Sequence, residues 1–101
     1  MTEKLKSVTV DLDYPVTHDG REIASLTFRR MKARDALAGE GIESEVRAGY
    51  AIFAALAGVD VSVIEELDIE DLAKVGDEVA PLMGKRFAGM IDKASPSPGA
   101  N

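Results

Sequence analysis

A chain of 101 residues closes one hydrophobic core and not two, which sets the expectation of a single domain with short tails. Apolar residues make up 46% and charged residues 30%, a globular balance, and the absence of cysteine excludes disulfides, thiolate metal sites and cysteine nucleophiles. The net charge of −6 is uneven, +2 over residues 1–34 and −8 over residues 35–101, and a field of that sign repels nucleic-acid phosphates.

Residues 5–14, LKSVTVDLDY, alternate with Val8, Val10 and Leu12 on one face, which predicts a half-buried strand. Pro15 cannot donate to a ladder and is expected to end that strand or to sit at an edge. His18-Asp19-Gly20-Arg21 reads as a turn, because Asp-Gly supplies the positive φ that tight hairpins need. Residues 22–29 alternate again, with Ala24, Leu26 and Phe28 on one side, so the two runs form an antiparallel hairpin. An isolated hairpin is marginal in water, and the rest of the chain must cover its apolar face.

After Arg30 the period changes. Residues 32–38 are helix formers stopped by Gly39 and Gly41. Ser44 caps a second helix whose Val46, Tyr50, Phe53 and Ala57 recur at helical spacing, with Gly58 as its stop. Ser62-Val63-Ile64-Glu65 fits a capping box opening one short turn that ends near Leu67. Asp68 caps the last helix, with an apolar stripe of Ile69, Leu72, Val75, Val79, Leu82, Met83, Phe87 and Met90. Pro81 interrupts it and predicts a kink, or two helices meeting near Ala80. The closing ASPSPGAN, residues 94–101, has nothing to bury and is expected to be a disordered tail after a domain over residues 1–93. The fold class is α+β, an N-terminal antiparallel β-hairpin packed on a small bundle of three to four helices.

Chemistry is sparse. His18 is the single histidine and reads as a solvated turn residue, with no second ligand type beside it in sequence. The glycines match neither dinucleotide-binding nor P-loop spacing. The carboxylates from Asp60 to Glu78 break the alternation of a calcium loop and suit helix N-termini instead. No catalytic, cofactor or metal residues emerge. The cluster Arg29, Arg30, Lys32 and Arg34 reads as a solvated strand end and first helical turn, its functional alternative being a patch for an acidic protein partner. Leu82, Met83, Phe87, Met90 and Ile91 suit either a core or an adaptable groove for a partner helix, and are the candidate partner-binding residues. No stretch approaches the roughly eighteen apolar residues of a membrane span, and MTEKLKSVTVD lacks a secretory apolar run, so the expected location is the cytoplasm.

The order of these features resembles a family of phage tail assembly chaperones of Mu-like and related contractile-tailed phages and prophages. Leu12, Pro15-Val16, Gly20, Ile23, Leu26, Arg29 and Asp35 carry the likeness in the first half. Gly58, Val63-Ile64, Leu67 and Asp71 carry it in the second, and together it spans roughly residues 8–92. Met31 and Lys32 stand where the family often has a proline. The resemblance implies a non-enzymatic protein of the host cell cytoplasm that binds the tape measure protein and keeps it soluble while tail tube subunits polymerise around it. It also implies absence from the finished virion and, in many such families, a longer frameshifted form sharing this domain. A structural tail protein retained in the virion and a small bacterial protein–protein adaptor are the alternatives left open.

Overall fold

The computed structural model describes residues 6–94, with side chains described through residue 84. Its elements run β1 (Ser7–His18), β2 (Arg21–Arg29), a 3₁₀ helix (Ala33–Gly39), α1 (Glu45–Ala57), α2 (Val61–Glu65) and α3 (Ile69–Ala94). The two antiparallel strands form a two-stranded sheet, and four helical segments come after them, as the α+β reading expects. Asp19 and Gly20, both at positive φ (53° and 76°), close the hairpin in the two-residue loop that matches strand twist.

Pro15 does not end β1 but sits on an edge, the other position expected for it, since both strands of a two-stranded sheet are edges. It lies inside a bulged stretch where Asp11 pairs with Ser25 but Val16 pairs with Ile23, so the first strand advances five residues while the second advances two. A bulge tolerates proline because its residues are not required to donate to the ladder. The irregularity also rotates β2: Leu26 and Phe28 are buried, but Ile23 and not Ala24 packs toward the core beyond it.

The apolar face of the hairpin, Val10, Leu26 and Phe28, meets Ile52, Phe53 and Leu56 of α1 and Leu72, Val75, Val79 and Leu82 of α3. Phe28 and Phe53 are fully buried and pack edge-on, ring centroids 6.3 Å apart at 75°. Burying such a ring contributes about 2 kcal/mol over leaving it in water. The buried stripe of α1 is Ala48, Gly49, Ile52, Phe53, Ala54 and Leu56, so Val46 is exposed and Tyr50 half-buried. Residues 51–57 are apolar almost throughout, and periodicity there selects no single face. Ile69 is likewise outside the stripe expected for α3, at 58% exposure.

The caps are Ser44 for α1, accepting from the Arg47 amide at 3.2 Å, and Asp68 for α3, accepting from Glu70 at 3.0 Å. Gly58 terminates α1 in the left-handed conformation. For α2 the cap is Asp60, which accepts from the Ser62 amide at 2.9 Å, so Ser62 lies inside the helix and the capping box does not form. A carboxylate two residues earlier reaches the orphan amides first. The break in α3 sits at Gly84 (φ 79°, ψ 167°) and not at Ala80, because only glycine enters that region without strain, whereas Pro81 is accommodated within the helix. The Leu82 carbonyl accepts instead from the Met31 amide at 3.0 Å, a donor that proline at position 31 would lack. The expected tail, residues 94–101, falls outside the described residues beyond Ala94.

Candidate interaction surface

Two buried carboxylates hold the hairpin to the helices. Asp71, fully buried at the start of α3, accepts from the amides of Asp13 and Tyr14, each at 3.0 Å, and so satisfies the donors freed by the β1 bulge. Lys74 reaches the same stretch, donating to the Asp11 carbonyl at 2.7 Å, with Asp13 at 3.5 Å and Asp71 at 3.8 Å. Asp35, 4% exposed, takes a two-pronged bond from Arg29 at 2.7 and 2.8 Å and a third from the Lys32 amide. The Arg29 hydrogen bond, helped by the Lys32 amide and the Arg29 charge against the opposing effect of burial, lowers the Asp35 carboxyl from 3.8 to about 2. Neither aspartate is free to do chemistry, since each is consumed by structural donors.

His18 stands at the hairpin tip with 34% of its side chain exposed and Nε2 3.5 Å from Asp19. It borders an open, roughly 530 Å³ depression between the tip and the α1–α2 connection, with Arg21, Val59 and Asp60. Exposed Asp60 is held below the ordinary carboxyl range mainly by its bond from the Ser62 amide. Among the described residues no group of three or more His, Cys, Asp or Glu is arranged to hold a metal ion. No helix among them is long and apolar enough to cross a membrane.

An apolar groove of about 290 Å³ opens beside the last turn of α3 before the Gly84 break, lined by Met31, Lys32, Ala33, Ala36 and Met83. The bond from Met31 to Leu82 brings the strand exit against the last turn before Gly84 and so creates it. Of the five candidate partner-binding residues, Leu82 is 1% exposed and packs in the core, and Met83 is 6% exposed and borders the groove. The side chains of Phe87, Met90 and Ile91 lie outside the described residues. Sequence reading missed Met31, Ala33 and Ala36 as neighbours of Met83, because a contact across 52 positions leaves no local periodicity. Single exposed apolar residues lie elsewhere: Tyr14 on the bulge, Leu37 on the 3₁₀ helix and Ile69 at the start of α3.

No curated protein and no solved structure matches the chain. A family model does, described as "Phage tail assembly chaperone proteins, E, or 41 or 14", over residues 9–84. The match contains both buried aspartates and the bulge, and it ends on the glycine that breaks α3. The chain therefore belongs to the phage tail assembly chaperone family.

Proposed function

We propose that this protein binds the tape measure protein in the host cell cytoplasm and keeps it soluble until tail tube subunits replace it, with no catalytic step. Membership of the tail assembly chaperone family is the observation that carries the reading. The physical chemistry agrees with it: an acidic domain of net charge −6 stays soluble while offering apolar surface to a client. The contact is made by the end of α3, where Met83 borders the groove and the stripe continues through Phe87, Met90 and Ile91. Leu82 supports that end from the core. The protein leaves before the virion is complete, and a longer frameshifted form sharing this domain assists it.

Co-expression with the tape measure protein of the same genome tests the reading. The client is expected in the soluble fraction and bound to a tagged copy of this chain. Equal insolubility of the client with and without this chain, repeated with both reading frames supplied, overturns it. Phe87→Asp is expected to abolish capture while the domain remains folded by circular dichroism.

A further inference from the structure

The chain leaves β2 through a run of cations, Arg29, Arg30, Lys32 and Arg34, and the fold puts them to two uses. Arg29 is taken up by the two-pronged pair with Asp35, whereas Arg30, Lys32 and Arg34 are exposed. The bond from the Met31 amide to the Leu82 carbonyl sets this stretch beside the last turn of α3 before Gly84. Arg30 donates to the Pro81 carbonyl at 3.4 Å, which places its charge on the same turn. Lys32 itself lines the groove, and Arg34 follows Ala33, another lining residue, in the chain. An apolar groove with a basic rim thus stands on a domain of net charge −6.

We propose that groove and rim select an acidic helical segment of the client, which seats one aliphatic side chain between Met31 and Met83 and sets flanking carboxylates against Arg30, Lys32 and Arg34. The proposal rests on the chaperone reading and adds which part of the tape measure protein is recognised, and by what. A groove of about 290 Å³ has room for an aliphatic side chain, and methionines adapt to its shape. Ala33 and Ala36 lie three apart on the 3₁₀ helix, where such positions stack on one face, so this wall is low and admits a helix backbone closely. On the incoming helix, Asp or Glu three or four residues from the anchor shares its face and reaches the rim together with it. Charge selects the occupant. The chain's own residues 85–101 hold Lys85, Arg86 and Lys93 against Asp92 alone, the same sign as the basic rim, and are repelled by it. The net charge of −6 opposes an acidic segment only at long range, where salt screens it beyond roughly 10 Å, whereas contact pairs act at a few ångströms.

Fluorescence anisotropy tests this with the full chain and labelled peptides of about 20 residues that tile the tape measure protein of the same genome. The tightest binders are expected to carry an aliphatic residue flanked by Asp or Glu, and to weaken several-fold as salt rises from about 50 to about 500 mM. Lys32→Glu with Arg34→Glu reverses the rim and is expected to weaken those peptides about tenfold, the combined effect of a few exposed ion pairs. The same variant is expected to bind versions of the peptides with lysine in place of the flanking acids more tightly than the wild type does, a gain that an unfolded variant cannot produce. Ala33→Phe, at an exposed position, fills the groove with the rim intact and is expected to abolish binding of both sets. A wild type that binds no peptide or ignores the flanking charge, a reversed rim with unchanged preference, or full binding by Ala33→Phe each overturns the proposal. Co-expression separates it from the chaperone reading: undiminished capture of the full-length client by the reversed rim leaves that reading standing while this one falls, and no capture by the wild type removes both.

Discussion

Asp71 and Asp35 are both buried carboxylates that tie the hairpin to the helical half of the chain, yet their partners differ in kind. Asp71 faces two backbone amides of the β1 bulge, which the strand holds in place. Asp35 faces chiefly the guanidinium of Arg29, whose side chain is 37% exposed and can swing into water. The first is an acceptor for fixed donors, and its loss strands them. The second is an ion pair at the protein's edge, and its loss releases a cation to solvent. Burial alone therefore misjudges what each contributes, since the cost of removal depends on where the partner can go.

Replacing each aspartate by asparagine puts the comparison to experiment. Asp71→Asn turns one of its two acceptor oxygens into a donor that faces the Asp13 or Tyr14 amide. A loss of about 3 kcal/mol in urea unfolding is expected, the largest of the series, as one donor is left unsatisfied and the bulge is released. If the loss is below that of Asp35→Asn, the bulge amides reach water and the distinction between fixed and mobile partners fails.

Asp35→Asn is expected to cost about 2 kcal/mol, and its signature is in the pH dependence. The folded carboxyl, held near 2 by Arg29, lies below its ordinary 3.8, so the stabilisation is present above that ordinary value. It is lost as pH falls through about 4 toward 2, where the folded protein takes up the proton. The wild type is expected to lose about 2 kcal/mol over that interval in excess of Asp35→Asn, one pKa unit being about 1.4 kcal/mol. Parallel pH profiles for the two proteins would show that the Arg29 pair does not hold the carboxyl down.

Local chemistry made much of this fold legible. The Asp19-Gly20 turn, the Ser44 and Asp68 caps and the Gly58 stop each depend on residues within a few positions, and each stands where the sequence places it. What escaped depends on distant partners. Pro15 reads as a strand end or an edge residue, and although it does lie on an edge, nothing nearby announces that Asp71, 56 residues on, supports a bulge around it. Asp71 itself resembles the solvated acids that suit any helix start, and only its partners reveal it as buried. Of the candidate surface, Met83 is legible from the α3 stripe, but its place beside Met31 is set by the bond between the Met31 amide and the Leu82 carbonyl. Spacing alone assigns Ile69 to the core, whereas the first turn of α3 overhangs it.

The smallest effect belongs to a third aspartate that separates the value of a cap from the value of a charge. Asp60 is exposed and caps α2 through the Ser62 amide at 2.9 Å. Asparagine caps helices about as well, because one amide oxygen suffices to accept that bond. Asp60→Asn is therefore expected to leave the urea midpoint within experimental error near neutral pH. The Ser62 bond holds the Asp60 carboxyl below its ordinary value, so its stabilisation, like that of Asp35, is present above the ordinary value and fades as pH falls below it. Asparagine does not titrate, and the variant is expected to become slightly more stable than the wild type under strongly acidic conditions. A substantial loss at neutral pH would mean that the Asp60 charge itself supports the α1–α2 connection, placing this exposed carboxylate with the buried pair.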